Sequence, residues 1–566
     1  MLLVIVSWLY IGFMCWVFGL AFFRLPLIKK HVGDLQRGSV HFVMAGVVII
    51  TVFSGYFSLV HKIGALFHLM LLAALIFLTG YFRKDVLSHI KTLLKVALSW
   101  EGLLYCGLIL FLAFFTSRGE FHFDTNIYHA QMIRWLEEVG VVPGLGNLQR
   151  QYAYNSSYLL FTAVFSMKWL LGMSLHTTTG FMAAVLSIYA LRGLRGVLQR
   201  KHHVADLCRL AMLLYVFHTL FYLMSPSTDY GALMMVAYLV LRWAEVFEQR
   251  GSVSEYALLC VLAVFTMTLK LSAATVVLLF IYPAICLLRA RQWRQILFFV
   301  ALGLLVLIPW LLSNFMLSGW LFYPFMGMDT FSVDWKMPLD ALQYDNADIV
   351  AGARSISAAE LDLGFRGWLP LWWEGMETFH RMLIYANVIA LGLFAFNRCV
   401  KISLAKKIKP VDGPLLAAYL AIISSLLFWF IMAPFVRYGL IFLLLLPALA
   451  IGESLSMRHN AYTKVVAGLL TVLIFFSMSV YWDSNTIATG VFIKNQIKSP
   501  YYLMPQDYDR FEADVVSLSG HNFYMPQNNY FVGYHNFPGS ISLRELESCE
   551  MRGTALRQGF RSTPNQ

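Results

Sequence analysis

Repeated apolar runs of about 20 residues are the feature that most constrains what this chain can fold into. A run of that length crosses the hydrocarbon core of a bilayer as one α-helix. The 566 residues are 59% hydrophobic and only 13% charged, whereas soluble domains carry about 25% charged residues. The sequence therefore predicts an all-α polytopic membrane protein with about 13 to 15 transmembrane segments.

Basic residues set the expected orientation. Lys and Arg gather in the cytoplasmic loops of membrane proteins, so the net charge of +12 indicates topology and not nucleic-acid binding. This rule places the polar loop 117–155 on the outer face. It also leaves a conflict. Two apolar runs, 156–172 and 177–194, separate that outer loop from a basic loop expected in the cytoplasm, but two crossings would return the chain to the outer face. We expect one of the two, with the first favoured, to be short, re-entrant or interfacial.

Two regions of different composition follow from this topology. Residues 1–482 are expected to form a transmembrane domain with long outer loops at 117–155 and 317–380. The second loop is rich in Trp, which is typical of an interfacial helix and lid. Residues 483–566 contain no apolar run long enough to span, and we expect them to form a small cap on the outer face. The seven cysteines form no C-x-x-C pair, so no metal or disulfide framework is predicted.

Ionisable residues converge at the outer ends of the predicted helices. They are Glu120, Asp124, Asp229, Lys270 and Arg437. Charges at such positions are costly unless they pair or function. Two cations opposite acids predict a site that binds a phosphate leaving group and deprotonates a nucleophile. Taken singly, Lys270 and Arg437 could instead be snorkelling side chains, and Asp124 or Thr125 could be only a helix N-cap.

Individual roles can be assigned as expectations. Asp124 precedes a helical pattern and is the candidate general base. His129 could shuttle protons or stack on a sugar or lipid, although a single histidine near an apolar face is more often structural. Arg150 could hold phosphate or sugar, or only lead into the next apolar segment. The chain has no Walker loop, G-x-S-x-G, H-E-x-x-H or zinc-type cluster, which disfavours an ATPase, serine hydrolase or metalloprotease.

Four short motifs together resemble a known superfamily. They are D-T-N-I-Y-H at Asp124, S-P-S-T-D at Asp229, T-L-K-L-S at Lys270 and F-V-R-Y-G-L at Arg437 and Tyr438. Their order resembles that of GT-C-fold glycosyltransferases, which include aminoarabinose transferases and protein mannosyltransferases. With P-G-L-G-N-L-Q-R and the late R-G-T-A-L-R-Q-G-F-R, the chain looks closer still to a mostly uncharacterised bacterial membrane-protein family of GT-C type.

The resemblance implies a reaction and a set of roles. A sugar would pass from a polyprenyl-phosphate donor to a glycan or lipid acceptor by an inverting single displacement. The site would face the periplasm or exterior of a bacterial inner membrane. Asp124 would be catalytic, with Glu120 as its nearest acidic partner. Substrate would be held by Asp229, Lys270, Arg437, Tyr438, His129 and Arg150.

Alternatives stay open at this stage. Many relatives have two adjacent acids in the first loop, whereas Asp124 is followed by Thr125. No cofactor is expected to be required, but a divalent cation is possible. A surface-polysaccharide polymerase or ligase would use a lipid-pyrophosphate donor at a similar site. A lipid-linked sugar flippase or transporter would need no base, and should show charges along a midplane path.

Overall fold

A computed structural model describes residues 1–33, 38–194, 203–405, 412–456, 465, 468–474, 476, 490–498, 501–527 and 530–563. The structure is mostly helical, at 73%. Two small antiparallel hairpins, β1 (Ala513–Leu518) with β2 (His521–Pro526) and β3 (Cys549–Met551) with β4 (Phe560–Ser562), lie near the C-terminus. All seven cysteines are free.

The helices of the first half of the chain are α1 (Leu2–Arg24), α2 (Pro26–Val32), α3 (Ser39–Ser58), α4 (Ala65–Tyr81), α5 (Arg83–Ala97), α6 (Trp100–Ser117), α7 (Ala130–Glu138), α8 (Ser157–Phe165), α9 (Lys168–Leu171) and α10 (Thr178–Gly193). Those of the second half are α11 (His203–His218), α12 (Thr228–Glu248), α13 (Val253–Leu269), α14 (Ile281–Arg289), α15 (Trp293–Ser318), α16 (Leu339–Ala353), α17 (Phe365–Glu374), α18 (Thr378–Ala405), α19 (Gly413–Met432), α20 (Val436–Ser456) and α21 (Leu543–Glu547). A π-helical turn, Thr125–His129, precedes α7, and a 3-10 helix, Leu271–Phe280, precedes α14.

Within the described residues, nine helices are long and apolar enough to cross a membrane, or ten if the bent pair α4 and α5 forms one span. They are Leu2–Arg24, Ser39–Ser58, Trp100–Ser117, Thr228–Glu248, Leu271–Arg289, Trp293–Ser318, Thr378–Lys401, Gly413–Met432 and Val436–Ser456. The prediction of a mostly helical, polytopic membrane protein is confirmed at this level. The last predicted segment, 463–482, lies largely outside the described residues.

The first of the two apolar runs between residues 155 and 195 contains only short helices. Helix α8 has nine residues and rises about 14 Å, well below the roughly 30 Å of a hydrocarbon core. It ends at Phe165, and two residues later Met167 adopts a left-handed conformation with φ of 54°. Every residue of α8 is buried. The first apolar run is therefore divided between α8 and α9, and the second forms α10, which has 16 residues.

Two helices, α12 and α20, form the centre of the bundle. In the most apolar 18-residue stretch of each helix, 89% of the residues are buried inside the protein. A helix that is apolar on all sides is typically surrounded by protein in this way. Asp229 and Arg437 each occupy the second position of one of these helices. The partial positive charge of a helix N-terminus favours the aspartate and disfavours the arginine. Arg437 therefore needs nearby carboxylates.

The C-terminal tail, residues 501–563, packs on the first loop. Gln131 Nε2 donates to the carbonyl oxygens of Gly533 at 2.7 Å and Asn536 at 2.8 Å. The Phe560 N–H donates to Pro143 O at 2.9 Å. Since backbone groups of both segments take part, the tail contributes to the shape of the loop.

Candidate functional site

The residues after α6 run in an extended path towards the centre of the bundle. The Glu120 N–H donates to Phe221 O at 3.0 Å, and the His122 N–H donates to Ser225 Oγ at 3.1 Å. The extended path ends at His122, because the Thr125 N–H donates to His122 O at 2.8 Å and Asp124 already has helical backbone angles, with φ of −62° and ψ of −22°.

Asp124 is not a helix cap. It stands before the π-helical turn, but its side chain accepts no capping hydrogen bond from that turn. The structural alternative considered from the sequence does not describe this carboxylate, which instead faces the start of α20. Single π-helical turns are frequent at functional sites, and this one follows Asp124 directly.

Arg437 joins both acids. Its Nη2 lies 3.3 Å from Asp124 Oδ2, and its Nε lies 3.9 Å from Asp229 Oδ2. Its Nη1 donates to His122 Nε2 at 2.9 Å, and its Nη2 donates to the Tyr438 hydroxyl at 3.1 Å. The guanidinium is 33% exposed, so one side of it is accessible to a ligand.

Lys270 neutralises the second acid. The chain is extended at Lys270, between α13 and the 3-10 helix, and its ammonium donates to Asp229 Oδ1. The same ammonium lies 4.0 Å from the centroid of the Tyr438 ring. Asp229 is 1% exposed, and its Oδ2 is buried without a hydrogen bond in the described structure. An unsatisfied buried carboxylate oxygen is costly, and a ligand hydroxyl could satisfy it.

Two indole rings hold the turn that presents Arg437. Trp429 Nε1 donates to Phe435 O at 2.6 Å, and Trp372 Nε1 of helix α17 donates to Pro434 O at 3.0 Å. The Trp429 ring packs against Gly439, where a Cβ atom would lie 2.7 Å from the ring. The Trp-rich loop 317–380 therefore supports the start of α20 directly.

These six residues form what we call the charged cluster: His122, Asp124, Asp229, Lys270, Arg437 and Tyr438. Two carboxylates face two cations, so the cluster is balanced when His122 is neutral. Burial lowers the pKa of His122, and Asp124 opposes that shift while Arg437 adds to it. Both ring nitrogens of His122 face donors, because Arg437 Nη1 lies 2.9 Å from Nε2 and the Asp124 N–H points to Nδ1 at 3.1 Å. Asp124 Oδ2 lies 3.7 Å from Nδ1.

His122, Asp124 and Asp229 also offer three donor atoms within 4.8 Å of one another. Imidazole and carboxylate groups are ligands for several divalent metals. However, Lys270 and Arg437 contact the same carboxylates, and their positive charges oppose a divalent cation. The donor set fits such an ion only if the two cations withdraw.

The other predicted residues are outside the charged cluster. Glu120 is exposed and forms no ion pair with any described residue. His129 is fully buried between Thr125, whose Oγ1 lies 3.3 Å from Nδ1, and Thr228, whose Oγ1 lies 3.5 Å from Nε2. Burial holds the pKa of His129 well below its usual value, with His122 and Lys270 adding to the effect. A neutral, packed histidine fits the structural alternative better than a proton shuttle.

Arg150 belongs to a different group, which we call the Arg150 cluster. Its guanidinium lies 3.2 Å from Asp345, 3.5 Å from Asp348 and 3.1 Å from Glu545. Burial raises the pKa of Glu545 and of Asp345, while Arg150 opposes both shifts. Arg150 therefore joins the first loop, the loop 317–380 and the tail. The structure does not bring it to the charged cluster, where it was expected to bind phosphate or sugar.

The sequence predicted five of the six members of the charged cluster, and His122 was not among its candidate site residues. No local pattern singles it out, because its partner Arg437 is 315 residues away along the chain. No curated protein and no solved structure matches the chain. The family described as a domain of unknown function, DUF8201, matches residues 1–444. That match covers well over half of the chain and every member of the charged cluster, so the chain belongs to this family.

Proposed function

We propose that this protein is an integral-membrane glycosyltransferase of GT-C type that moves a sugar from a polyprenyl-phosphate donor to an acceptor. The observation that carries the proposal is the charged cluster itself. Asp124, Asp229, Lys270 and Arg437 come from four separate segments and contact one another in a chain of ion pairs. The cations could bind a phosphate, and the acids could activate an acceptor and hold a sugar.

In the proposed reaction, Asp124 accepts the proton of an acceptor hydroxyl whose oxygen attacks the anomeric carbon of the donor sugar. The bond between that carbon and the phosphate oxygen breaks, and its electron pair stays on the phosphate. The leaving phosphate thus gains a negative charge, which Lys270 and Arg437 stabilise. The displacement occurs in one step and inverts the anomeric centre.

Donor binding would also prepare the base. In the described structure Arg437 contacts Asp124 at 3.3 Å, so an ion pair occupies the carboxylate that would accept the proton. A donor phosphate would compete for the exposed side of the guanidinium and leave Asp124 available to the acceptor. Asp229 would keep Lys270 as its partner, and its unsatisfied Oδ2 could accept a hydrogen bond from a sugar hydroxyl.

The position of the charges supports catalysis over transport. Between Asp229 and Arg242, α12 has no charged residue over about 20 Å of helix. Between Arg437 and Glu453, α20 has none over about 24 Å. A carrier of charged lipid-linked sugars would be expected to have polar groups at the midplane. The two central helices instead have charges near their ends.

The proposed location is a bacterial inner membrane, with the charged cluster on the outer face. The basic loops predicted to be cytoplasmic support this orientation. The tail would then lie outside as a cap over the first loop. A lipid-pyrophosphate donor, as used by a polymerase or ligase, remains the alternative to test, because the same cations could bind either phosphate.

The test uses the full chain in lipid nanodiscs with donors on a polyprenyl phosphate or a polyprenyl pyrophosphate. The donor sugars would include glucose, mannose, galactose, N-acetylglucosamine and aminoarabinose. We expect release of polyprenyl phosphate in the wild type, and loss of release in Asp124→Asn and Arg437→Lys. Turnover of pyrophosphate donors alone would favour the polymerase or ligase. Transbilayer movement of a fluorescent donor that survives Asp124→Asn would favour a flippase.

A further inference from the structure

An apolar groove runs along α3, and we call it the α3 groove. Residues of α1, α2, α3, α13 and α15 line it, together with the buried helix α12. Its volume is about 580 Å³. On α3 the lining extends from His41 to Tyr56, a rise of about 22 Å. The groove is therefore long enough to follow most of the roughly 30 Å of a hydrocarbon core.

The few polar atoms in the lining already have partners within the protein. His41 Nδ1 lies 2.8 Å from the Tyr238 hydroxyl, and the Tyr56 hydroxyl donates to a backbone carbonyl of α15 at 3.0 Å. Arg242 pairs with two carboxylates, at 3.0 and 3.5 Å. The other lining side chains are apolar, and apolar cavities do not hold water. The α3 groove therefore suits a hydrocarbon chain.

The groove is open to its surroundings at both ends. Leu27 of α2, at one end, is 57% exposed, and Leu305 of α15, at the other, is 52% exposed. Exposed apolar side chains that line a groove commonly mark a site for a partner or for lipid. A chain of the surrounding bilayer can therefore enter the groove from the side.

The end of the groove at α2 has two cations, Lys30 and Arg294, which we call the basic mouth. Ile28 of α2 lines the groove, and Lys30 follows it by two positions. Arg294 lies four positions before Phe298, another lining residue, and thus on the same face of α15. The His31 ring stacks on the Phe298 ring at 4.2 Å, which holds α2 against α15. The two cations therefore flank one contact.

The basic mouth keeps its positive charge. Lys30 and Arg294 are both exposed, and neither forms an ion pair with any residue in the part of the chain that the structure describes. Two acids at this end already have cationic partners. Asp85 lies 2.5 Å from Arg24, and one of the carboxylates that pair with Arg242 is the nearby Glu255. An anionic headgroup would therefore meet two available cations.

We infer that the α3 groove binds an anionic phospholipid, with an acyl chain in the groove and the phosphate at the basic mouth. Basic pockets between membrane helices on the cytoplasmic side bind anionic headgroups, and the proposed orientation places the mouth at that leaflet. The groove supplies the apolar part of such a site, and Lys30 and Arg294 supply the basic part.

The donor lipid of the proposed reaction fits this groove less well. Its phosphate would bind at the charged cluster, which includes Asp229 at the start of α12. The groove meets α12 at Tyr238 and Arg242, about 14 and 20 Å further along the helix. The phospholipid site is thus separate from the charged cluster and does not depend on the proposed reaction.

The headgroup is tested by native mass spectrometry of the full chain in detergent. Dioleoyl phosphatidylglycerol is the anionic probe, and dioleoyl phosphatidylethanolamine is the zwitterionic probe with the same chains. Lys30→Gln combined with Arg294→Gln removes the basic mouth from exposed positions, so the fold should tolerate it. We expect phosphatidylglycerol to bind roughly tenfold more weakly and phosphatidylethanolamine to bind as before. Lys84→Gln with Lys91→Gln is the matched control, because it removes two exposed cations from α5.

A second pair of variants tests the chain. Val48→Trp fills the middle of the groove and should weaken the binding of both lipids by roughly tenfold. Val300→Trp places the same ring on α15 at a position that is 53% exposed and outside the groove, and it should change neither affinity. Leu262→Trp, from the α13 side of the groove, replaces Val48→Trp if thermal unfolding shows that the first variant does not fold.

Loss of phosphatidylglycerol binding alone in the mouth variant, with loss of both lipids in the groove variant, would support the site. Wild-type phosphatidylglycerol affinity in both variants would overturn it, as would equal affinity of the wild type for the two lipids. Displacement of phosphatidylglycerol by an equal amount of polyprenyl phosphate would assign the groove to the carrier lipid and would also overturn the inference.

Discussion

Asp124→Asn tests the charged cluster most directly, because it removes one negative charge and keeps the size of the side chain. The Asp124 carboxylate lies 3.3 Å from Arg437 Nη2. Two unit charges at that separation interact by about 5 kcal/mol at an effective dielectric constant near 20. Desolvation offsets most of this energy, and Arg437 keeps Asp229 at 3.9 Å. We therefore expect the free energy of unfolding to fall by only about 1 kcal/mol.

The rate should fall by much more than the stability. Loss of a general base reduces turnover by roughly 10²- to 10⁴-fold, whereas the binding of donor should be kept or strengthened, because Arg437 no longer shares its charge with Asp124. The assay follows sugar release from polyprenyl-phosphate donors in nanodiscs. Donor affinity and thermal unfolding are measured on the same preparations.

A matched control separates charge loss from misfolding. Asp206 lies 2.6 Å from Arg209, which also contacts Glu245. Asp206→Asn therefore removes one of two carboxylates from an arginine, as Asp124→Asn does, but in a different cluster. It should keep the wild-type rate even if its stability falls further. Asp124→Asn turnover within tenfold of the wild type would refute the assignment of Asp124 as the base.

Three further substitutions test the neighbouring groups. Lys270→Met leaves Asp229 buried beside an apolar side chain and should lower the free energy of unfolding by about 3–5 kcal/mol. Adding Asp229→Asn should restore most of the thermal stability without restoring sugar transfer. If the double variant recovers no stability, the buried pair of Lys270 and Asp229 is contradicted. Arg150→Ala removes the cation shared by three carboxylates, so trypsin should cleave the tail faster. An unchanged cleavage rate would contradict the role of Arg150 in holding the tail against the first loop. Because the pKa of His129 is lowered in the folded state, the unfolded chain binds more protons, and the wild type should lose stability as the pH falls below about 6.5. His129→Asn should reduce that loss, measured as the change in melting temperature between about pH 7.5 and 5.5, and the same change in both proteins would argue against it.

The sequence alone predicted the class of fold and most members of the charged cluster. Apolar runs and basic loops are local features of the sequence. A membrane helix must pair its own backbone hydrogen-bonding groups and present apolar side chains to the lipid within its own length. Those features were sufficient to place Asp124, Asp229, Lys270 and Arg437 at helix ends on one side. They also favoured the run 156–172 as the short element, and α8, its longest helix, has nine residues.

Only the tertiary structure decided which charged groups meet. His122 and Arg437 are 315 residues apart in the chain, and no local pattern relates them. Arg150 is close to Asp124 in the chain, and the sequence therefore predicted that the two share a site. Contacts with Asp345 and Glu545 instead hold Arg150 outside the charged cluster. Pairing between distant side chains depends on how the helices and the tail pack. The sequence therefore determined which charges the protein must satisfy, and the packing determined their partners.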